Sequence, residues 1–86
     1  MKDILIETHA LLRAAERGIK FNLSYEETRK RIFDAVRKGK TSRKHHSHKN
    51  KTKSLYFNDN FTFYVVFKET KNKIYVKTVI IEEGRE

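Results

Sequence analysis

The chain has 86 residues, with 20 Lys and Arg against 11 Asp and Glu, and a formal net charge of +9 at pH 7. A chain of this length sustains one hydrophobic core, so a single domain over residues 1–86 is expected. The absence of cysteine excludes a disulfide framework and a thiolate metal site, and fits a reducing cytoplasm. The opening apolar run, Ile4-Leu5-Ile6, is too short for a signal peptide, and nothing approaches the length of a membrane span. A cytoplasmic location without a membrane partner is therefore expected.

In chain order, residues 3–6 read as a short edge strand or as a lead-in to the first helix. Residues 8–19 are rich in helix formers, with Thr8 as N-cap and Gly18 as the left-handed residue that closes the helix. Leu11, Leu12, Ala15 and Ile19 are assigned to its buried side. His9, Arg13 and Arg17 recur at intervals of four and form one polar stripe. A second helix opens at Ser24 with a capping box, Ser24-Tyr25-Glu26-Glu27, and ends at Gly39 after Arg37 and Lys38. Tyr25, Ile32, Phe33 and Val36 follow helical spacing on its apolar side.

From Ser54 onward the apolar period changes to two. Strands are expected at Leu55–Phe57, Phe61–Lys68 and Lys73–Ile81, with turns at Asn58-Asn60 and Glu69-Asn72. Phe61, Phe63, Val65 and Phe67 share one face. Ile74, Val76, Thr78 and Ile80 share another, which leaves Lys77 pointing away from Thr78. The expected fold is α+β: two N-terminal helices packed on a three- to four-stranded antiparallel sheet.

The charge is concentrated. Residues 37–53 hold eight cations and no acid: Arg37, Lys38, Lys40, Arg43, Lys44, Lys49, Lys51 and Lys53. The remaining twelve cations and eleven acids nearly cancel. Residues 40–53 carry no aliphatic or aromatic side chain, so a flexible basic loop is expected there, suited to a polyanion. His45, His46 and His48 belong to this cationic arm; no carboxylate or cysteine stands near them to complete a metal site, and no cofactor is expected. Tyr56, Tyr64 and Tyr75 are candidates for stacking on bases, against an ordinary role in the sheet.

His9 is either a polar residue near a helix start or a general base or acid, because histidine titrates near neutrality. Arg13 and Arg17 are either solvated or a pair of guanidinium forks holding a phosphate. Thr78 is either a good strand former, a hydroxyl donor to that phosphate, or a residue that orients His9 across the helix–sheet seam. Two guanidinium forks in line with a histidine suit phosphodiester cleavage.

The run His9-Ala10-Leu11-Leu12-Arg13-Ala14-Ala15-Glu16-Arg17-Gly18-Ile19 resembles the opening of small DUF4258-type domains. Those begin with His-Ala, an Arg four residues on, and a Glu-Arg-Gly-Ile-like turn. Their closing threonine-bearing strand is matched by Val76-Lys77-Thr78-Val79-Ile80. The order of helices and strands is also similar to RelE-type and BrnT-type toxins of the barnase–colicin–RelE group of metal-independent ribonucleases. The resemblance implies an endoribonuclease of a toxin–antitoxin system, in which a ribose 2′-hydroxyl attacks the adjacent phosphate. His9 would be base or acid, Arg13 and Arg17 would hold the phosphate, and Thr78 would help to position it. RNA (messenger, transfer or ribosomal) and an acidic antitoxin are the implied partners. The cationic insertion at 40–53 departs from the compact loop of such proteins. The alternative is a non-catalytic basic nucleic-acid-binding protein, a small regulator or viral accessory protein, in which the arm is the functional part.

Overall fold

The computed structural model describes residues 2–46 and 49–85. Its elements run β1 (Asp3–Ile6), α1 (Thr8–Ile19), α2 (Tyr25–Lys38), β2 (Lys40–Thr41), β3 (Lys51–Phe57), β4 (Phe61–Glu69) and β5 (Lys73–Glu83). The sheet order is β1-β5-β4-β3-β2. The fold is α+β with both helices on one face, as expected, but the sheet has five strands and is mixed. β1 pairs parallel to β5, from Asp3 opposite Lys73 to Ile6 opposite Val76, while all other pairs are antiparallel. The lead-in becomes a strand because β5 has a free edge beside it and Ile4 and Ile6 pack against the core.

In α1 the buried positions are Ala10, Ala14 and Gly18, whereas Leu12 and Ile19 stand 57% and 70% exposed. This corrects the apolar side assigned from sequence: Leu11 and Ala15 are only half-buried. Small residues at i, i+4 and i+8 let α1 lie close to its neighbours. Gly18 does not end the helix. A Cβ there would collide with Thr28 Oγ1, the hydroxyl that donates to the Ser24 carbonyl at 2.9 Å. The left-handed residue comes later, at Asn22 with φ 61°. The N-cap is Glu7 rather than Thr8, and its side chain makes no capping bond because Lys77 holds it.

α2 follows its sequence signals closely. The Glu27 amide donates to Ser24 Oγ at 3.0 Å, and the Ser24 amide reaches Glu27 Oε1 at 3.5 Å, so the capping box forms. Ile32 and Val36 are buried, but Tyr25 is exposed. Phe33 lies between Arg29 and Arg37, whose guanidinium carbons stand 4.8 and 5.4 Å from its ring centre.

Phe63 and Val65 of β4 enter the core beneath the helices, joined by Val76, Val79 and Ile81 of β5. That set cannot come from strict alternation. Val66 pairs with Thr78 but Phe67 pairs with Val76, so Lys77 is an extra residue in β5. Such a bulge shifts the phase of the strand. Ile74 and Val76 meet the core before it, and Val79 and Ile81 after it. Thr78 and Ile80, expected beside Ile74 and Val76, instead share the far face with Val66 and Tyr64.

Gly18→Ala is expected to destabilise the fold by about 1–3 kcal/mol, since the added methyl overpacks the α1–α2 contact. Urea unfolding measures this. In a Thr28→Ala background the same change should cost much less, because the colliding hydroxyl is gone.

Candidate functional site

The bulge and the start of α1 meet at one corner of the sheet. The Glu7 amide, just past β1, donates to the Val76 carbonyl at 3.2 Å, directly before the extra residue Lys77. Lys77 Nζ donates to Glu7 Oε2 and stands 6.0 Å from the centre of the Tyr75 ring. The other oxygen of the same carboxylate, Oε1, lies 3.6 Å from His9 Nε2. Glu7 therefore sits between an ammonium and an imidazole. The imidazole is 65% exposed and open to a ligand. The Lys77 hydrogen bond holds the Glu7 carboxyl below its ordinary range, so it is ionised at neutral pH.

The bulge also corrects the relation between Lys77 and Thr78. Alternation sets them on opposite faces. The extra residue places both on the face away from the helices, Lys77 with Tyr75 and Thr78 with Val66. Arg13 is exposed and, like Thr78, has no side-chain partner among the described residues. Arg17 is half-buried, and its Nη1 donates to the Val79 carbonyl, tying α1 to β5. No hydrogen bond joins Thr78 to His9, Arg13 or Arg17 among the described residues.

The cationic arm is more structured at its ends than its composition suggests. β2 pairs Lys40 with Ser54 and Thr41 with Lys53, and β3 begins at Lys51. Between them, Lys44 and His45 fold over the far face of the sheet. Lys44 Nζ reaches Glu82 Oε1 at 2.5 Å, and His45 Nε2 lies 3.2 Å from Glu82 Oε2. Both also pack on Tyr64, the imidazole edge-on at 5.0 Å between ring centres. Tyr64 is consequently 1% exposed and shut off from any base. His48 lies outside the described residues.

The eight cations divide into two groups. Lys44 is bound to Glu82, Lys51 to Glu69 at 3.2 Å, Lys53 to the Val36 carbonyl at 3.0 Å, and Arg37 to the Phe33 ring. Lys38, Lys40, Arg43 and Lys49 are without a side-chain partner among the described residues. Sequence reasoning missed Glu7 and Lys77. The one available signal was Lys77-Thr78, a polar pair inside an apolar strand, and its register cannot be read without the partner strands.

Asp59, Glu69 and Glu82 resemble Glu7 in titrating below their ordinary values. The leading cause in each case is a hydrogen bond from a cation: Arg31 to Asp59, Lys2 and then Lys51 to Glu69, and Lys44 to Glu82. A carboxyl depressed in the folded state adds stability above its unfolded value, and that stability is lost as pH falls through the folded value. With ordinary values of 4.5 for Glu and 3.8 for Asp, the thermal midpoint should hold from pH 7 to about 5 and fall steadily below that. Glu82→Gln should lower the midpoint at pH 7 and shrink the acid-induced drop, as calorimetry at neutral and acid pH would register.

Among the described residues no helix is long and apolar enough to cross a membrane. No protein-family model, no curated protein and no solved structure matches the chain.

Proposed function

We propose that the chain is a toxin-like, metal-independent endoribonuclease. The observation that carries this reading is the Glu7 carboxylate set between Lys77 and an exposed His9, beside Thr78 at a bulge in β5. Strand irregularities of this kind re-aim side chains next to active sites. The resemblance of residues 9–19 and 76–80 to DUF4258-type domains, and of the order of helices and strands to RelE-type and BrnT-type toxins, supports the same reading.

In this mechanism His9 takes the proton of a ribose 2′-hydroxyl. The 2′-oxygen forms a bond to phosphorus, the bond from phosphorus to the 5′-oxygen breaks, and the leaving oxygen takes up a proton from the imidazolium or from water. Glu7 stabilises the imidazolium as it forms. Lys77 and Arg13 neutralise the charge that builds on the phosphate oxygens, and Thr78 donates a hydroxyl hydrogen bond to them. Arg17 fixes α1 against β5 and so sets where His9 and Arg13 stand relative to Thr78. Lys38, Lys40, Arg43 and Lys49 hold the RNA backbone and are the surface on which an acidic antitoxin competes.

A second reading, a non-catalytic nucleic-acid-binding protein, is favoured by one observation: those four cations have no side-chain partner among the described residues, whichever chemistry follows.

Incubation with total RNA and ribosomes in EDTA distinguishes the two. Cleavage leaving 2′,3′-cyclic phosphate ends is expected, with a loss of about 100-fold or more in His9→Ala and little change in RNA affinity. Equal activity in that variant would sink the assignment of His9. Absence of cleavage, with salt-sensitive binding, would establish the second reading. In either case, neutralising Lys38, Lys40, Arg43 and Lys49 together should flatten the log-affinity versus log-salt slope by roughly 0.7 for each phosphate that is no longer neutralised.

A further inference from the structure

A groove of about 440 Å³ runs along the outer edge of the sheet, with Lys38 and Lys40 on one side and Tyr56, Asn58 and Arg85 on the other. It exists because β2 is only two residues long. β2 covers β3 at Lys53 and Ser54 and leaves Leu55–Phe57 without a strand on that side. The Ser42 amide donates to the Thr52 carbonyl at 2.9 Å, so the backbone groups of residues 52, 54 and 56 point outward in an antiparallel ladder. The N–H and C=O of Tyr56 thus face the groove as a donor and an acceptor with no partner among the described residues.

The far wall is held in place from the other end of the sheet. Gly84, at φ 87°, donates its amide to the Asn60 carbonyl at 2.8 Å and accepts the Thr62 hydroxyl on its own carbonyl. This return of the chain brings the Arg85 guanidinium to 4.3 Å from the centre of the Tyr56 ring. The Tyr56 hydroxyl is steadied by Asn60 Oδ1 at 3.3 Å.

Three cations line the groove and no acid does. The nearby Asp59 is engaged elsewhere, in a two-pronged pair with Arg31 at 2.6 and 2.9 Å. The larger groove along α2, by contrast, includes Glu26 and Asp34 among its lining. An aromatic ring beside a guanidinium, two lysines in the same groove, and an outward-facing backbone donor and acceptor are what one nucleotide of a single strand requires. The base stacks on the ring, the phosphate meets the lysines, and the base edge finds the backbone groups.

We infer that this groove is a base-stacking seat for single-stranded nucleic acid, centred on Tyr56 and Arg85 with Lys38 and Lys40 on the phosphate. The inference rests on the nucleic-acid reading above but not on its cleavage chemistry. Tyr56 and Thr78 lie on the same face of the sheet, two strands and about four residues apart, a span of roughly 16 Å from the usual strand spacings. The seat therefore lies a few nucleotide lengths from the bulge in β5.

The test uses a fluorescent 2′-deoxy hexanucleotide, which lacks the attacking hydroxyl, and an abasic counterpart of the same length, with polarisation as the readout. Wild-type protein should bind the base-bearing strand about 5- to 100-fold more tightly than the abasic one. Tyr56→Ala should erase that difference, and Tyr56→Phe should keep it. Lys40→Ala should weaken both strands alike. In the wild-type protein, titration with the base-bearing strand should shift the backbone amide resonances of Tyr56, Asn58 and Arg85, a readout that needs no variant to fold. Equal binding of the two strands, or amide shifts confined to other elements, would overturn the seat while leaving nucleic-acid binding intact. Failure to bind either strand would overturn the nucleic-acid reading itself.

Discussion

Lys77 occupies one more position along β5 than β4 supplies opposite it, and much of the molecule depends on that surplus. A strand of eleven residues has to pack against α1 while pairing with β4 on one side and, over Lys73–Val76, with β1 on the other. With strict alternation from Ile74 and Val76, the hydroxyl of Thr78 would point into the core, and Val79 and Ile81 would face the polar side. The extra residue moves the two apolar side chains inward and turns Lys77 and Thr78 outward together. The same step brings an ammonium to Glu7, and through Glu7 it gathers His9. Core packing and candidate chemistry thus follow from a single local irregularity.

Electrostatic pairing sorts the charge that composition only totals. Glu7, Asp59, Glu69 and Glu82 each hold a specific cation, and these pairs tie α1 to β5, α2 to the β3–β4 turn, the N-terminal residues to β4, and the arm to β5. Exposed pairs of this kind contribute little individually. Their larger effect is to decide which cations remain available. Among the cations of residues 37–53, the unpaired ones lie at the β2 end of the sheet and in the arm, so the protein presents this charge to one side. The β4 part of the far face is covered at the same time, with Thr62, Tyr64 and Val66 buried. Thr52 Oγ1, also buried, finds no partner among the described residues.

What the sequence made legible is local. The capping box of α2, its end at Lys38 and the turn at Asn58–Asn60 rest on interactions within a few residues, and all were readable. The faces of α1 were not. Its packing surface is built from Ala10, Ala14 and Gly18, whose small size carries no hydrophobic signal, and the larger Leu12 and Ile19 stand outside. The role of Gly18 depends on Thr28, a residue of another helix. The parallel pairing of β1 and the bulge at Lys77 depend on strands far along the chain. His9, Arg13, Arg17 and Thr78 were visible as residue types at suggestive spacing. Glu7 and Lys77, which bring His9 to the strand that bears Thr78, became visible only with the register in hand.

The Glu7–Lys77 pair joins residues seventy positions apart. β3, β4 and β5 are successive strands with turns of three residues, and closing them costs little chain entropy. β1 and the start of α1 can reach β5 only by closing a loop that contains nearly all of the protein. The corner that holds His9 is therefore among the most non-local junctions in the fold, held by one short parallel strand together with the packing of α1 on β5. A partial opening that releases β1 and α1 from β5 dismantles that corner while the antiparallel strands stay paired, so the candidate chemistry is confined to the fully closed chain.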